Sequence, residues 1–425
     1  MASTTSARYF SWTHLWMPII SISKWRTQLT GPLARPRADV KILLFAMKLI
    51  LWTPQDSETG EPRTEDYFIL KDLVLQAEAA GMLSLQLLQA LILLTIYEYS
   101  HAIYPAAYLS IGTCVRYGLA LGIDKQRQVE VDATDFGLDE QEERRRVWWA
   151  TIILDRMVSW SSTSPEPRSD DLLPVHDQHW DEGRIERSRI EPVSASSNTN
   201  MGMLARLAQS AFLLGRVYRW KNYPTGDAKF DEDEKDQLDR ALRALLNLIY
   251  QEGATRLMPI CPQTALCFSA LVTLHSQPGN ATPFMSHADY AAPMRFPTES
   301  QTQNRLSALV ETLQFLRPIA EESSVSTALF FRKEPWSIEK SSPLLIHWTY
   351  LIAVTFLRLK ISLDREEAQT SLFNVSSVVP AVELRKQADR GLDAMKMKLS
   401  LLGKQWLAAG AYLRILEARE VANML

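Results

Sequence analysis

Glu143 to Arg156 reads ERRRVWWATIILDR: three arginines in a row, two tryptophans, an apolar run and an Asp-Arg close. Basic residues beside aromatics are what a nucleic-acid surface needs, because bases stack on exposed rings. A helix over 139–161, with Asp139 to Glu143 in its first turns, gives a different reading. Glu142 and Arg146 become i,i+4 neighbours, as do Arg145 and Trp149. Trp148, Ile152 and Asp155 share one face, and Trp149, Ile153 and Met157 or Arg156 share the adjoining one. Two such faces make an apolar band wide enough to be buried against other helices. The band draws the Arg145 and Asp155 ends inside, where charges need partners. An arginine there can stack on Trp149 and grip a carboxylate bidentately. The stretch is therefore read as a structural clamp of charge and aromatics in a core helix, rather than as a DNA-contacting element.

The remaining sequence agrees with a helical core. The chain has 425 residues, enough for one large or two fused helical units. Lys plus Arg is 46 and Asp plus Glu is 49, a net charge of −3. A duplex-binding module carries a basic excess, since affinity comes from neutralised phosphates, and no such excess exists here. Hydrophobic residues make up 46 %, which rules out general disorder. Cys114, Cys261 and Cys267 are too few for a disulfide framework, and none of their spacings suits zinc; they read as buried and inert. The runs 41–52 and 83–99 are the most apolar. The first is short and carries two lysines, and the second carries Gln86, Gln89 and Glu98, so both read as core helices and no membrane span is expected.

Helical periodicity dominates, and strand signals are scarce. Helices are expected at 11–30, 38–52, 65–80, 83–100, 104–121, 139–161, 202–221, 231–252, 262–277, 302–316, 343–363, 380–402 and 404–422. Pro262, Pro343 and Pro380 suit first helical turns. Gly81, Gly122, Gly253 and Gly403 suit C-terminal caps. Long polar loops are expected at 123–138, 162–200, 278–300 and 318–342. The expected division is a short tail at 1–8, a first helical half at 9–182, a flexible linker at 183–201 and a second half of the same domain at 202–425.

Catalytic motifs are thin. There is no nucleophile elbow, P-loop or dinucleotide fingerprint. His176 and His179 in PVHDQHWDEG lack a third ligand, and the segment reads as a solvated loop. The Met and Leu stripe at 392–402 reads as core. The acidic run DEDEKDQLDR at 231–240 reads as the acidic first turn of a helix. Its alternative is an aspartate-rich magnesium motif of a terpenoid-type helical lyase. Another alternative is an interaction scaffold with no DNA-targeting role. No enzyme activity is expected, and no catalytic, cofactor or metal residue is assigned.

Several fragments together resemble a family. YFSWTHLWMPIIS (9–21), PRADVKILLFAMKLI (36–50), AAYLSIGTCVRYGLALGID (106–124), ERRRVWWATIILDRMVS (143–159), DDLLPVHDQHWDEG (170–183) and HWTYLIAVTFLRLK (347–360) resemble, in order and spacing, the regulatory or middle homology domain of fungal zinc-cluster transcription factors. The resemblance implies an all-α fold: a large multi-helix regulatory domain with long polar loops. It implies a nuclear transcription regulator of metabolic or secondary-metabolite genes. Its partners would be other transcription regulators or co-regulators, a small-molecule effector and a second copy in a homodimer, with no membrane. Arg145, Arg146, Trp148, Trp149, Asp155, Arg156, Pro174 and Trp180 fall in the family signature, with a structural role expected. The family reads DNA through an N-terminal six-cysteine binuclear zinc cluster, which three cysteines cannot build. No cofactor is therefore expected in this chain, zinc would belong only to an upstream segment, and DNA would be reached indirectly or through such a module.

Overall fold

The computed structural model describes residues 2–30, 37–56, 59–125, 135–159, 164–186, 189–195, 200–256, 261–275, 338–370 and 378–424. The helix expected at 302–316 and the loop at 278–300 lie outside them, as does all of 318–342 except its last five residues. The described residues form fourteen α-helices. No strand is named among them, and the one β-type contact is an isolated antiparallel bridge between Leu172 and Pro192. The chain is all-α, as its periodicity predicts.

The chain divides by packing into two compact units. The first runs through Leu274 and includes 342–344. Its helices are α1 (Ala2–Ser11), α2 (Ile22–Thr30), α3 (Ala38–Ile50), α4 (Glu65–Ala79), α5 (Leu85–Ser100), α6 (Ala106–Ala120), α7 (Asp135–Ser159), α8 (Asp177–Asp181), α9 (Met203–Asn222), α10 (Ala228–Arg256) and α11 (Pro262–His275). Helix α5 is the axis of this unit: every residue from Leu87 to Ser100 is buried. It lies against α3, α6 and α7, and α7 in turn packs on α9 and α9 on α10. An apolar residue at almost every position is the mark of a helix enclosed on all sides. The packing boundary falls near residue 275, so residue 183 lies inside the first unit.

Local chemistry sets the helix ends. Thr64 and Ser84 cap α4 and α5, their hydroxyls accepting from Tyr67 N and Leu87 N at 3.2 Å each. Gly81, at φ +69°, closes α4 in a left-handed cap, with Met82 N donating to Ala77 O. Two expectations change. The helix drawn at 11–30 is two: α1 starts at Ala2, in the segment drawn as a tail, and Trp25 Nε1 donates to Ser6 Oγ at 2.9 Å. Pro18 sits between the two helices, where a missing N–H and a ring clash would break a helix interior. Gly253 does not end α10, which continues to Arg256.

The second unit holds α12 (Leu345–Thr370), α13 (Val378–Leu402) and α14 (Leu407–Met424). Gly391 of α13 lets the Phe356 ring of α12 sit against its backbone, where any Cβ would collide with the ring. Lys398 of α13 lies 4.3 Å from the Trp348 ring centroid. Lys360 joins all three helices, 3.1 Å from Asp389 and 3.3 Å from Glu420.

Candidate functional site: a buried arginine and tryptophan cluster

All eight signature residues are buried. They form two groups along α7. In the first, Glu142 has no exposed surface and accepts at both oxygens: from Arg146 Nε at 2.8 Å and Val175 N at 2.9 Å on one, and from Arg145 on the other. Arg146, also without exposure, donates further to Pro18 O at 3.2 Å, Asp177 Oδ1 at 2.9 Å and Val175 O at 2.8 Å. Its guanidinium lies 4.0 Å from the centroid of the Trp180 ring. Trp180 also stacks with His14, which reaches Asp181 at 3.1 Å. One arginine thus ties α7 to the turn before α2, to the segment containing Pro174 and Val175, and to α8. Sequence reasoning placed an arginine on Trp149. Trp149 instead donates from Nε1 to Leu172 O at 2.8 Å.

The second group stands two turns further along. Asp155 accepts from Arg156 Nη1 at 2.9 Å, Ser159 Oγ at 3.1 Å and both Ser164 N and Oγ, at 2.9 and 2.7 Å. Arg156 also reaches Glu166 at 3.3 Å. Both groups are organised by α9 as well as α7.

Glycines make these arrangements fit. A Cβ on Gly118 of α6 would stand 2.7 Å from the Trp148 ring, and one on Gly215 of α9 would stand 2.6 Å from Arg156 Nε. Gly202, just before α9, would meet Asp177 at 2.7 Å. Asp177 takes that space because its Oδ2 accepts from Met203 N at 2.6 Å and Leu204 N at 3.4 Å. It therefore caps a helix that begins 26 residues later, while its other oxygen holds Arg146. The sequence list missed Glu142, Asp177, Gly118, Gly202, Gly215 and Ser164. Only Glu142 left a local signal, its i,i+4 spacing from Arg146.

The segment after α7 is tied back on itself. Leu173 N donates to Glu191 O at 2.7 Å and Val193 N to Asp171 O at 2.9 Å. Part of the stretch drawn as a linker, 191–194, thus backs the segment carrying Pro174 and Val175. A shallow cleft of about 260 Å³, open solvent included, is lined by Asp124, Arg145, Trp148, Trp149, Ile152, Asp171 and Leu172. Most of that space is open to solvent, and the enclosed part holds little more than a water molecule, far short of a metabolite-sized pocket.

Other candidates have structural partners. His176 Nδ1 accepts from Gln178 N at 3.3 Å at the start of α8, and His179 lies 2.8 Å from Arg189. Glu234 of the acidic run pairs with Arg216 at 3.2 Å and Arg219 at 3.6 Å, and Asp231 accepts from Thr225 Oγ1 at 2.7 Å. No group of three or more metal-ligating side chains occurs among the described residues. The lyase reading has no support. All three cysteines are free and buried, and burial pushes the Cys114 and Cys267 thiols up to about 12. No described helix is long and apolar enough to cross a membrane.

The basic and aromatic residues of this stretch are folded inward, so they present no surface for reading bases. The fungal specific transcription factor domain family matches residues 7–179. A relative from Botryotinia fuckeliana (strain B05.10), described as Transcription factor BOA15, is 38 % identical over 143 residues, covering 33 % of this chain and 78 % of the relative. No solved structure matches. The chain belongs to the fungal specific transcription factor domain family and is a transcription regulator.

Proposed function

We propose that this regulator acts in the nucleus by binding other transcription regulators or co-regulators, in control of genes of one metabolic pathway. Its described body would reach DNA through a partner or a separate module. The observation that carries this reading is the enclosure of Arg145, Arg146 and Arg156 with Trp148 and Trp149. These groups are buried, and the arginines are held by internal carboxylates and carbonyls, so they offer neither phosphates nor bases a surface.

The test is a tethered reporter. The full chain is fused to an unrelated DNA-reading module and expressed in a fungal nucleus beside a reporter carrying the matching site. A rise or fall of reporter output relative to the module alone is expected. Output equal to the module alone would overturn the reading. The same chain without the added module should leave that reporter unchanged.

A further inference from the structure

Exposed large apolar side chains are unevenly placed on the first unit. Seven of the twelve among the described residues fall between 68 and 119, on α4, α6 and the turn after α4. Phe68 is 57 % exposed, Leu75 63 % and Leu109 62 %. Steps of three, four and seven residues bring Glu65, Phe68, Asp72 and Leu75 to the solvent side of α4, while Leu70, Val74 and Ala77 face inward. Lys71 and Glu78, seven residues apart, mark the border of that side with α6. Lys71 reaches Ser110 of α6 at 3.4 Å, and Tyr117 of α6 donates to Met82 O at 3.2 Å. Burial and then the nearby Glu78 carboxylate push the Tyr117 phenol up. Across the seam, Leu109 stands next to Ser110, and Arg116, seven residues on, shares the side of Leu109.

The charges along this seam do not cancel. Lys71 is matched by buried Glu98 at 3.0 Å, and Asp66 by Lys48 of α3 at 2.7 Å. Glu65, Asp72 and Glu78 make no ion pair among the described residues, and Asp72 bonds only within α4, to Gln76 at 2.6 Å. Arg116 makes none either, so three acids stand against one base. We propose that the α4–α6 seam is the docking site of a co-regulator's basic amphipathic helix, a placement that rests on the regulatory reading above and gives the partner its surface and its chemistry. Contiguous exposed apolar surface marks an interaction site. The apolar side of the incoming helix covers Phe68, Leu75 and Leu109, as in other helix-on-groove recognition. Its lysines or arginines meet Glu65, Asp72 and Glu78. The acidic excess selects this occupant. An acidic helix would place like charges together, and an uncharged one would strip water from three carboxylates without pairing them.

Fluorescence anisotropy with the purified full chain tests this. The probe is a labelled synthetic helix of about 18 residues, five turns, with leucines along one side and lysines flanking them. Its twin carries glutamate in place of lysine. The lysine probe is expected to bind roughly tenfold or more tighter than the twin. Leu75→Gln with Leu109→Gln should weaken it by a similar factor, with the melting temperature unchanged because both side chains are exposed. Glu65→Lys with Asp72→Lys should invert the preference between the twins. Absence of binding, twins bound alike, or indifference to these variants would each overturn the proposal. So would a concentration-dependent dimer that the two leucine changes dissolve, since the face would then belong to a second copy. The tethered reporter separates this proposal from the reading beneath it. At equal protein level, Leu75→Gln with Leu109→Gln should bring output back toward that of the module alone. A variant that matches an active wild type would overturn the docking site and leave the regulatory reading standing. A wild type equal to the module alone would overturn the regulatory reading whatever the peptides do.

Discussion

Arg146 and Arg145 are adjacent, but their surroundings rank them. Arg146 meets two carboxylates, two carbonyls and an indole face, whereas Arg145 is held by Glu142 and its Nε has no hydrogen-bond partner among the described residues. Removing one member of a buried pair costs about 3–5 kcal/mol. Arg146→Ala is expected at or above that range, and Arg145→Ala below it. Chemical denaturation of both variants checks the order, and equal losses would show that Arg146 does not gather the elements around it. Arg146→Lys should recover little, since an ammonium cannot reproduce the planar fork. Loss of nucleic-acid affinity with unchanged stability in Arg145→Ala or Trp149→Ala would mean that the cluster is a binding surface. Thiol reagents should leave the native chain unlabelled, because the thiolate is the reactive form and burial suppresses it. The sequence made the enclosure of these arginines legible through the width of the apolar band. It could not name Trp180 as the stacking partner, because periodicity speaks only for residues on the same helix.

Helix α7 is gripped on two sides through glycines. Gly215→Ala would push a methyl group against Arg156, and Gly118→Ala would push one against Trp148. Overpacking of this kind costs about 1–3 kcal/mol, against the small gain that alanine brings to a helix interior. Both variants should therefore melt below the wild type, and a rise in either would mean that its neighbouring side chain moves freely. Thr64→Ala should cost about 1 kcal/mol through loss of the α4 cap. Helix starts and stops of this local kind were readable, as at Gly81 and Gly122. The notches were not, since a glycine inside a helical pattern looks like a weakness until the side chain filling the space is known.

Buried histidines give the whole molecule a direction in pH. Burial pushes His101 in the first unit and His347 in the second down to about 3. Unfolded histidine titrates near 6.5. Between these values the unfolded chain holds a proton that the folded chain does not, so stability rises with pH in this window and falls on acidification. From about pH 7 to about pH 5 the loss is on the order of 2 kcal/mol for each histidine. Urea midpoints at the two pH values should show it, and His101→Gln should shrink the difference. A midpoint indifferent to pH would contradict the burial of both rings. At this scale the sequence disclosed the helical class and the absence of a basic excess. It did not disclose the packing boundary near 275, because that depends on contacts between residues far apart in the chain, such as those that bring α9 onto α7.

The cap that Asp177 places on α9 bears on where the family region can be cut. The matched stretch ends at residue 179, but its last turn carries the carboxylate that starts the next helix, and Gly215 of that helix seats Arg156. A recombinant fragment ending at 179 would lose both Trp180, the ring on which Arg146 lies, and α9, the lid over Arg156. Arg156 would be opened to water, and one oxygen of Asp177 would be left without its amide partners. The smallest autonomous piece must run at least through α9, and during synthesis Asp177 leaves the ribosome before the helix it is waiting to cap.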